Sequence, residues 1–148
     1  MIQFVAVMLK DIFDKGKEFP WERPSKCPKC DYNKVWGHGF VSKLFDGFTE
    51  LLWLKRWRCP VCRCIITMRP KSHFPRFQAS QKDIQDTLEH RLTHGKWPPD
   101  LSPPRMRYWL SNLKRQARAH LPQSMKSGLM TAYQRLIDLD KIPVSCAI

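Results

Sequence analysis

Two short stretches of the chain have the residues and spacing to bind a metal ion: Cys27-Pro-Lys-Cys30 and Cys59-Pro-Val-Cys62, the same C-P-x-C pattern twice with 28 residues between them. In each, a tight turn lets two thiolates face one centre while backbone N–H groups donate to sulfur. Two such knuckles brought together supply the four tetrahedral ligands that zinc prefers. A site of this kind contributes folding free energy that a small set of strands lacks. Cys64 lies within reach of the same centre, so either Cys62 or Cys64 is the fourth ligand, with knuckle spacing favouring Cys62. Cys146, and Cys64 if it is not a ligand, read as small apolar side chains. His38 in "WGHGF" is a further ligand type that four thiols make unnecessary.

Catalytic chemistry is harder to find. The histidines at 38, 73, 90, 94 and 120 accompany no nucleophile motif, and the run "HRLTH", which places His90 and His94 four apart, lacks the glutamate of the H-E-x-x-H metalloprotease pattern. A set of carboxylates holding two metal ions needs a sizeable catalytic fold, and 148 residues leave no room for one beside the elements below. The expectation is a protein that is not an enzyme.

Charge points to the partner. With 26 Lys and Arg against 13 Asp and Glu, the net charge is +13, far beyond what solubility needs, and this implies a polyanion such as nucleic acid. The opening "MIQFVAVMLKDIF" has neither the basic lead nor the cleavage site of a secretory signal, and no stretch is apolar for the ~20 residues a bilayer crossing requires. The expectation is a soluble cytoplasmic protein with no membrane partner. In that reducing setting the cysteines are metal ligands or free thiols rather than a disulfide framework.

The elements that must position these groups read as α+β: a small antiparallel zinc ribbon followed by a helical, helix-turn-helix-like region. Residues 1–24 form an N-terminal segment for packing or for dimerisation as a homodimer, with periodicity not deciding between helix and strand. Residues 25–70 form the ribbon, with strands in "KVWGHGFVSKLF", "FTELLWLKRWRC" and "RCIITMRP" and a turn at Asp46-Gly47. Residues 71–121 form the DNA-binding region. Ser80 caps a helix with Asp83 at N3 and Ile84, Leu88 and Leu92 recurring along it, and Gly95 stops it. After "KWPPDL", in which Trp97 packs the loop, Ser102 caps a second helix that carries Pro103 in its first turn and ends by Leu121. Residues 122–148 hold a third amphipathic helix, about 123–139, and a tail.

"CPKCDYNKVWGHGF" followed by "WRCPVCRCIITMRP" resembles the zinc-ribbon front ends of insertion-sequence transposases and their accessory proteins. The positions that carry the resemblance are Val35, Trp36, His38, Gly39, Trp57, Arg58 and Cys59, and it spans about 25–121. The chain departs from the pattern by a longer spacer between knuckles and by Asp31 and Arg63, where a glycine often follows each pair. The resemblance implies a ribbon plus helix-turn-helix that binds mobile-element DNA, with a separate transposase or recombinase as the catalytic partner. The spacing is also similar to rubredoxin, where the metal is iron and the task electron transfer, but such a carrier needs neither the charge nor the basic helices.

At 100° per residue, the helix from Ser102 places Met106, Trp109, Leu110, Leu113 and Ala117 on one face. The opposite face collects Arg107, Tyr108, Ser111, Asn112, Arg115 and Arg118, flanked by Arg105 and Lys114. Guanidinium suits guanine edges, Asn suits adenine, and further Arg or Lys suits phosphate. No acidic residue lies between Ser102 and Gly128, whereas a merely solvated helix mixes both signs. In the ribbon, Lys55, Arg56, Arg58, Arg63, Arg69, Lys71 and Arg76 are expected along phosphates of double-stranded DNA. The competing expectation is a zinc-ribbon adaptor that binds a protein or RNA partner through its terminal amphipathic segments.

Overall fold

A computed structural model of the chain describes residues 1–99, 103–121 and 128–147. The fold is α+β, with the strands N-terminal and most of the helical structure C-terminal, and it divides into two compact units, Met1–Ser80 and Gln81–Ile148.

The first unit is a four-stranded sheet in the order β1-β4-β3-β2, built from β1 (Ile2–Val5), β2 (Trp36–Lys43), β3 (Leu52–Arg58) and β4 (Ile65–Pro70). β2, β3 and β4 run antiparallel in succession, as the alternating residues of the ribbon predict. β1 pairs parallel with β4, Ile2 opposite Thr67 and Val5 opposite Pro70, so the N-terminal segment is an integral edge of the sheet. A short helix, α1 (Leu9–Lys15), follows and buries Ile12 against Phe45, Leu52 and Leu54.

Between β2 and β3 the chain makes a broad loop from Lys43 to Leu52 rather than a two-residue hairpin. Gly47 takes φ +87°, and Phe45 turns inward as a core residue. Opposite Arg56, β2 carries two residues, His38 and Gly39, between the pairs Gly37–Trp57 and Phe40–Lys55. This is a bulge whose Gly39, at φ +71°, takes the left-handed conformation without steric cost and bends the strand. The segment after β4, expected at the start of the 71–121 region, belongs to this unit: Lys71 N–H donates to Val5 O and Asp46 N–H to Gln78 O.

The second unit contains α2 (Gln81–His94), α3 (Pro103–His120) and α4 (Leu129–Asp138). α2 starts immediately after Ser80 and closes with Gly95 at φ +71°, its N–H donating to Arg91 O, as a glycine stop should. α3 packs against both α2 and α4. The expected Ser102 cap and the start of the third helix at 123 lie outside the described residues; within them α4 begins after Gly128. Among the described residues no helix is long and apolar enough to cross a membrane.

Candidate metal centre and basic surfaces

The two knuckles converge. Cys27, Cys30, Cys59 and Cys62 place their Sγ atoms all within 4.8 Å of one another, with Cys27–Cys62 at 3.6 Å and Cys30–Cys59 at 3.5 Å. A zinc tetrathiolate with bonds of about 2.3 Å has sulfur–sulfur edges of about 3.8 Å, so this set needs little adjustment to take the ion. Each knuckle closes through a residue in the left-handed region directly after its second cysteine, Asp31 at φ 60° and Arg63 at φ 61°. These are the two sites where glycine would be the unstrained choice, and the turns form the same way without it. The first turn is held by Cys27 N–H to Tyr32 O at 2.8 Å and Lys29 N–H to Cys27 Sγ at 3.4 Å, the second by Cys59 N–H to Cys64 O at 3.0 Å.

Cys62, and not Cys64, completes the four-sulfur group. The Cys64 carbonyl closes the turn and its thiol faces Ile65 O, so it stands outside the group. His38, in the β2 bulge, is also outside the group. The site is anchored from below: Cys27 and Cys59 are fully buried in a cluster with Val35, Trp57, Ile66 and Met68.

Four sulfurs this close cannot all ionise without a cation. Burial acts to push the Cys59 thiol up, but the N–H groups of Cys62 and Val61 outweigh it and bring it down to about 6. Cys27 is likewise lowered against burial, by the N–H groups of Cys30 and Lys29. The Cys64 N–H acts to lower Cys62, but burial and the three neighbouring thiols drive it up to about 12. Cys30 is raised against the Tyr32 N–H by burial and by Cys59. A cation at the centre would favour all four thiolates together.

The basic residues sort into three groups. On α3, Arg107, Ser111, Lys114 and Arg118 form an exposed stripe at helical spacing, with Tyr108 and Arg115 beside it. A hydrogen bond with the Cys146 thiol raises the Tyr108 hydroxyl above its usual range. Arg105 is half-buried, its guanidinium 5.0 Å from the Trp109 ring centroid. On the first unit Arg58, Arg63, Lys71 and Arg76 are exposed and Lys55 and Arg56 half-buried, with Lys55 Nζ between the rings of Phe40 (4.7 Å) and Trp57 (5.0 Å).

Two residues expected at nucleic acid are instead interior. Asn112 is 6% exposed and donates through Nδ2 to Val144 O at 3.2 Å, because the C-terminal tail lies along this side of α3 and brings carbonyls that need donors. Gln116, which sequence reasoning missed, does the same for Ser145 O (2.8 Å) and Ala147 O (2.6 Å). Arg69, also 6% exposed, donates to Phe74 O and Phe77 O at 2.8 Å each and braces the proline-punctuated loop from within. The chain matches no family model, and comparison with curated proteins and with solved structures likewise finds no match.

Proposed function

We propose that the chain is a non-enzymatic, zinc-containing DNA-binding protein. The observation that carries this reading is the exposed side of α3, where Arg107, Lys114, Arg115 and Arg118 line up with no acidic residue anywhere between Ser102 and Gly128. A stripe of guanidinium groups on one long helix matches the width and charge of a major groove, and Arg115 and Arg107 are the candidates for guanine edges. Zinc held by Cys27, Cys30, Cys59 and Cys62 supplies cross-linking of the sheet's loops, with no reaction of its own. The resemblance of the "VWGHGF" and "WRC" segments to insertion-sequence transposases supports a role as transposition accessory or regulator beside a separate catalytic polypeptide.

The test is binding to mobile-element-end duplex, random duplex and single-stranded RNA across a salt series. Each phosphate neutralised on B-DNA contributes about −0.9 to the logarithmic slope. Arg107→Ala with Arg115→Ala is expected to weaken preferred-site binding more than random-site binding, by about 1–3 kcal/mol per base contact. Equal losses on both duplexes would make α3 a phosphate contact alone, and equal affinity for all three nucleic acids would overturn sequence reading by this protein.

A further inference from the structure

Strand register shows that the sheet of the first unit carries a second cationic surface, unlike that of α3. Residues directly opposite one another, and residues two apart along a strand, share a face. Ile2 on β1, Thr67 on β4 and Arg56 on β3 therefore lie in one row, and Ile65, Arg69, Leu54 and Arg58 lie on the same side as that row. Phe4, opposite Arg69, and Trp36, opposite Arg58, extend this face to both edges of the sheet. A cavity of about 540 Å³ opens here, within the range of about 300–1,000 Å³ typical of ligand sites.

Its lining combines two chemistries. Arg56, Arg69, Arg76 and Lys43 supply four cations with no acidic residue, and Ile2, Val41, Leu44, Leu54, Ile65 and Phe77 supply an apolar floor. Arg56 Nε and Arg69 Nε are buried and have no hydrogen-bond partner among the described residues. Arg69 is almost wholly enclosed, yet its loop-bracing bonds are made only through its terminal nitrogen. On this face of the sheet large apolar groups are exposed to solvent: Ile2 (42%) and Ile65 (39%) in the cavity lining, and Trp36 (57%) and Phe4 (38%) toward the two edges.

We infer that this face binds single-stranded DNA, with phosphates on Arg56, Arg58 and Arg76 and unpaired bases against Trp36 and the apolar floor. A duplex presents a ridge of phosphates and hides its base faces, so the apolar half of the cavity would be idle against it; an unpaired strand offers both. Guanidinium groups supply planar, bidentate phosphate contacts, and an exposed indole gives a sequence-tolerant stacking platform. The inference rests on the DNA-binding reading above but uses a different surface, so one protein would grip duplex through α3 and an unpaired strand through the sheet.

The experiment is fluorescence anisotropy of labelled oligodeoxythymidylate against zinc-loaded full chain, with oligouridylate of the same length and a random duplex as parallel arms. Expected is measurable oligodeoxythymidylate binding, tighter than oligouridylate, that falls about tenfold in Trp36→Ala, the scale of one lost base stack. Arg76→Glu, a change at an exposed position, is expected to weaken it at least as much, while both variants keep wild-type metal content and lose less affinity for duplex than for the single strand. Unchanged oligodeoxythymidylate affinity in both variants, or equal or tighter binding of oligouridylate, overturns the inference. Loss confined to the single strand in wild type, with duplex binding intact, sinks this inference alone; absence of binding to every arm sinks the DNA-binding reading with it.

Discussion

The two units place comparable positive charge on scaffolds of different construction. In Met1–Ser80 the interior is shared between apolar side chains and a knot of four sulfurs, with Trp57, Ile66 and Met68 packed directly on Cys27 and Cys59. In Gln81–Ile148 the interior is largely side-chain carbon, from Ile84, Leu88, Met106, Leu113, Tyr133, Leu136 and Val144 among others, and two of its buried polar residues, Asn112 and Gln116, hold the tail. A metal at the four thiols would cross-link the loops of the small sheet and add to its apolar clusters, whereas the second unit rests on the apolar packing of its helices. The consequence is that the two basic surfaces can be removed one at a time.

The largest separation comes from the thiols. Cys59→Ser, or chelation of the wild type, is expected to unfold the first unit, since structural zinc supplies an apparent ~10–16 kcal/mol at pH 7. Tryptophan emission would shift toward that of solvated indole as buried Trp57 is released, while the helical circular dichroism of α2, α3 and α4 persists; loss of helix signal in parallel would mean the units fold as one. Affinity for the metal is expected to fall with pH. At pH 7 binding displaces at least the protons of Cys62, held up at about 12, and of Cys30, and below about 6 Cys59 adds a third, so the slope steepens there. A competition titration between pH 5.5 and 8 reads this directly, and a pH-independent affinity would contradict the thiolate assignment.

The converse changes address the second unit. Leu113→Ala, at a fully buried position, is expected to cost about 2–5 kcal/mol. Asn112→Ala, which leaves Val144 O without its donor, is expected to cost about 1–3 kcal/mol. Both would lower the denaturation midpoint of the helices and leave metal content alone. Asn112→Ala with unchanged stability and weakened DNA binding would return this residue to the DNA-facing side. The smallest expected effect is Cys64→Ala, within about 0.5 kcal/mol because the carbonyl, not the thiol, closes the turn; a loss of metal affinity of about tenfold or more would bring Cys64 into the ligand set.

What could be read from the chain beforehand was mostly local. Knuckle spacing, the Gly95 stop and the three ribbon strands follow from neighbours along the sequence. The partnership of β1 with β4 joins residues some 65 positions apart through main-chain hydrogen bonds, for which Ile2 to Val5 carry no side-chain signal. The choice between Cys62 and Cys64 depended on which of them the turn uses for its carbonyl, a matter of three-dimensional closure. Arg69 and Asn112 were misplaced for one shared reason: a polar side chain was assigned to solvent although distant carbonyls, of the proline-bearing loop and of the tail, required donors inside. A proline-rich segment, short of N–H groups of its own, followed closely by buried aromatic residues was the available cue for Arg69.

The central claim is that one zinc ion bound by two C-P-x-C knuckles organises the first unit. X-ray absorption at the metal edge, with elemental analysis of the purified chain, tests it most directly: the expected result is one zinc per chain with four sulfur neighbours at about 2.3 Å, unchanged in Cys64→Ala and lost in Cys59→Ser. A red iron protein, a nitrogen or oxygen neighbour in place of a sulfur, or a folded first unit without metal would contradict it.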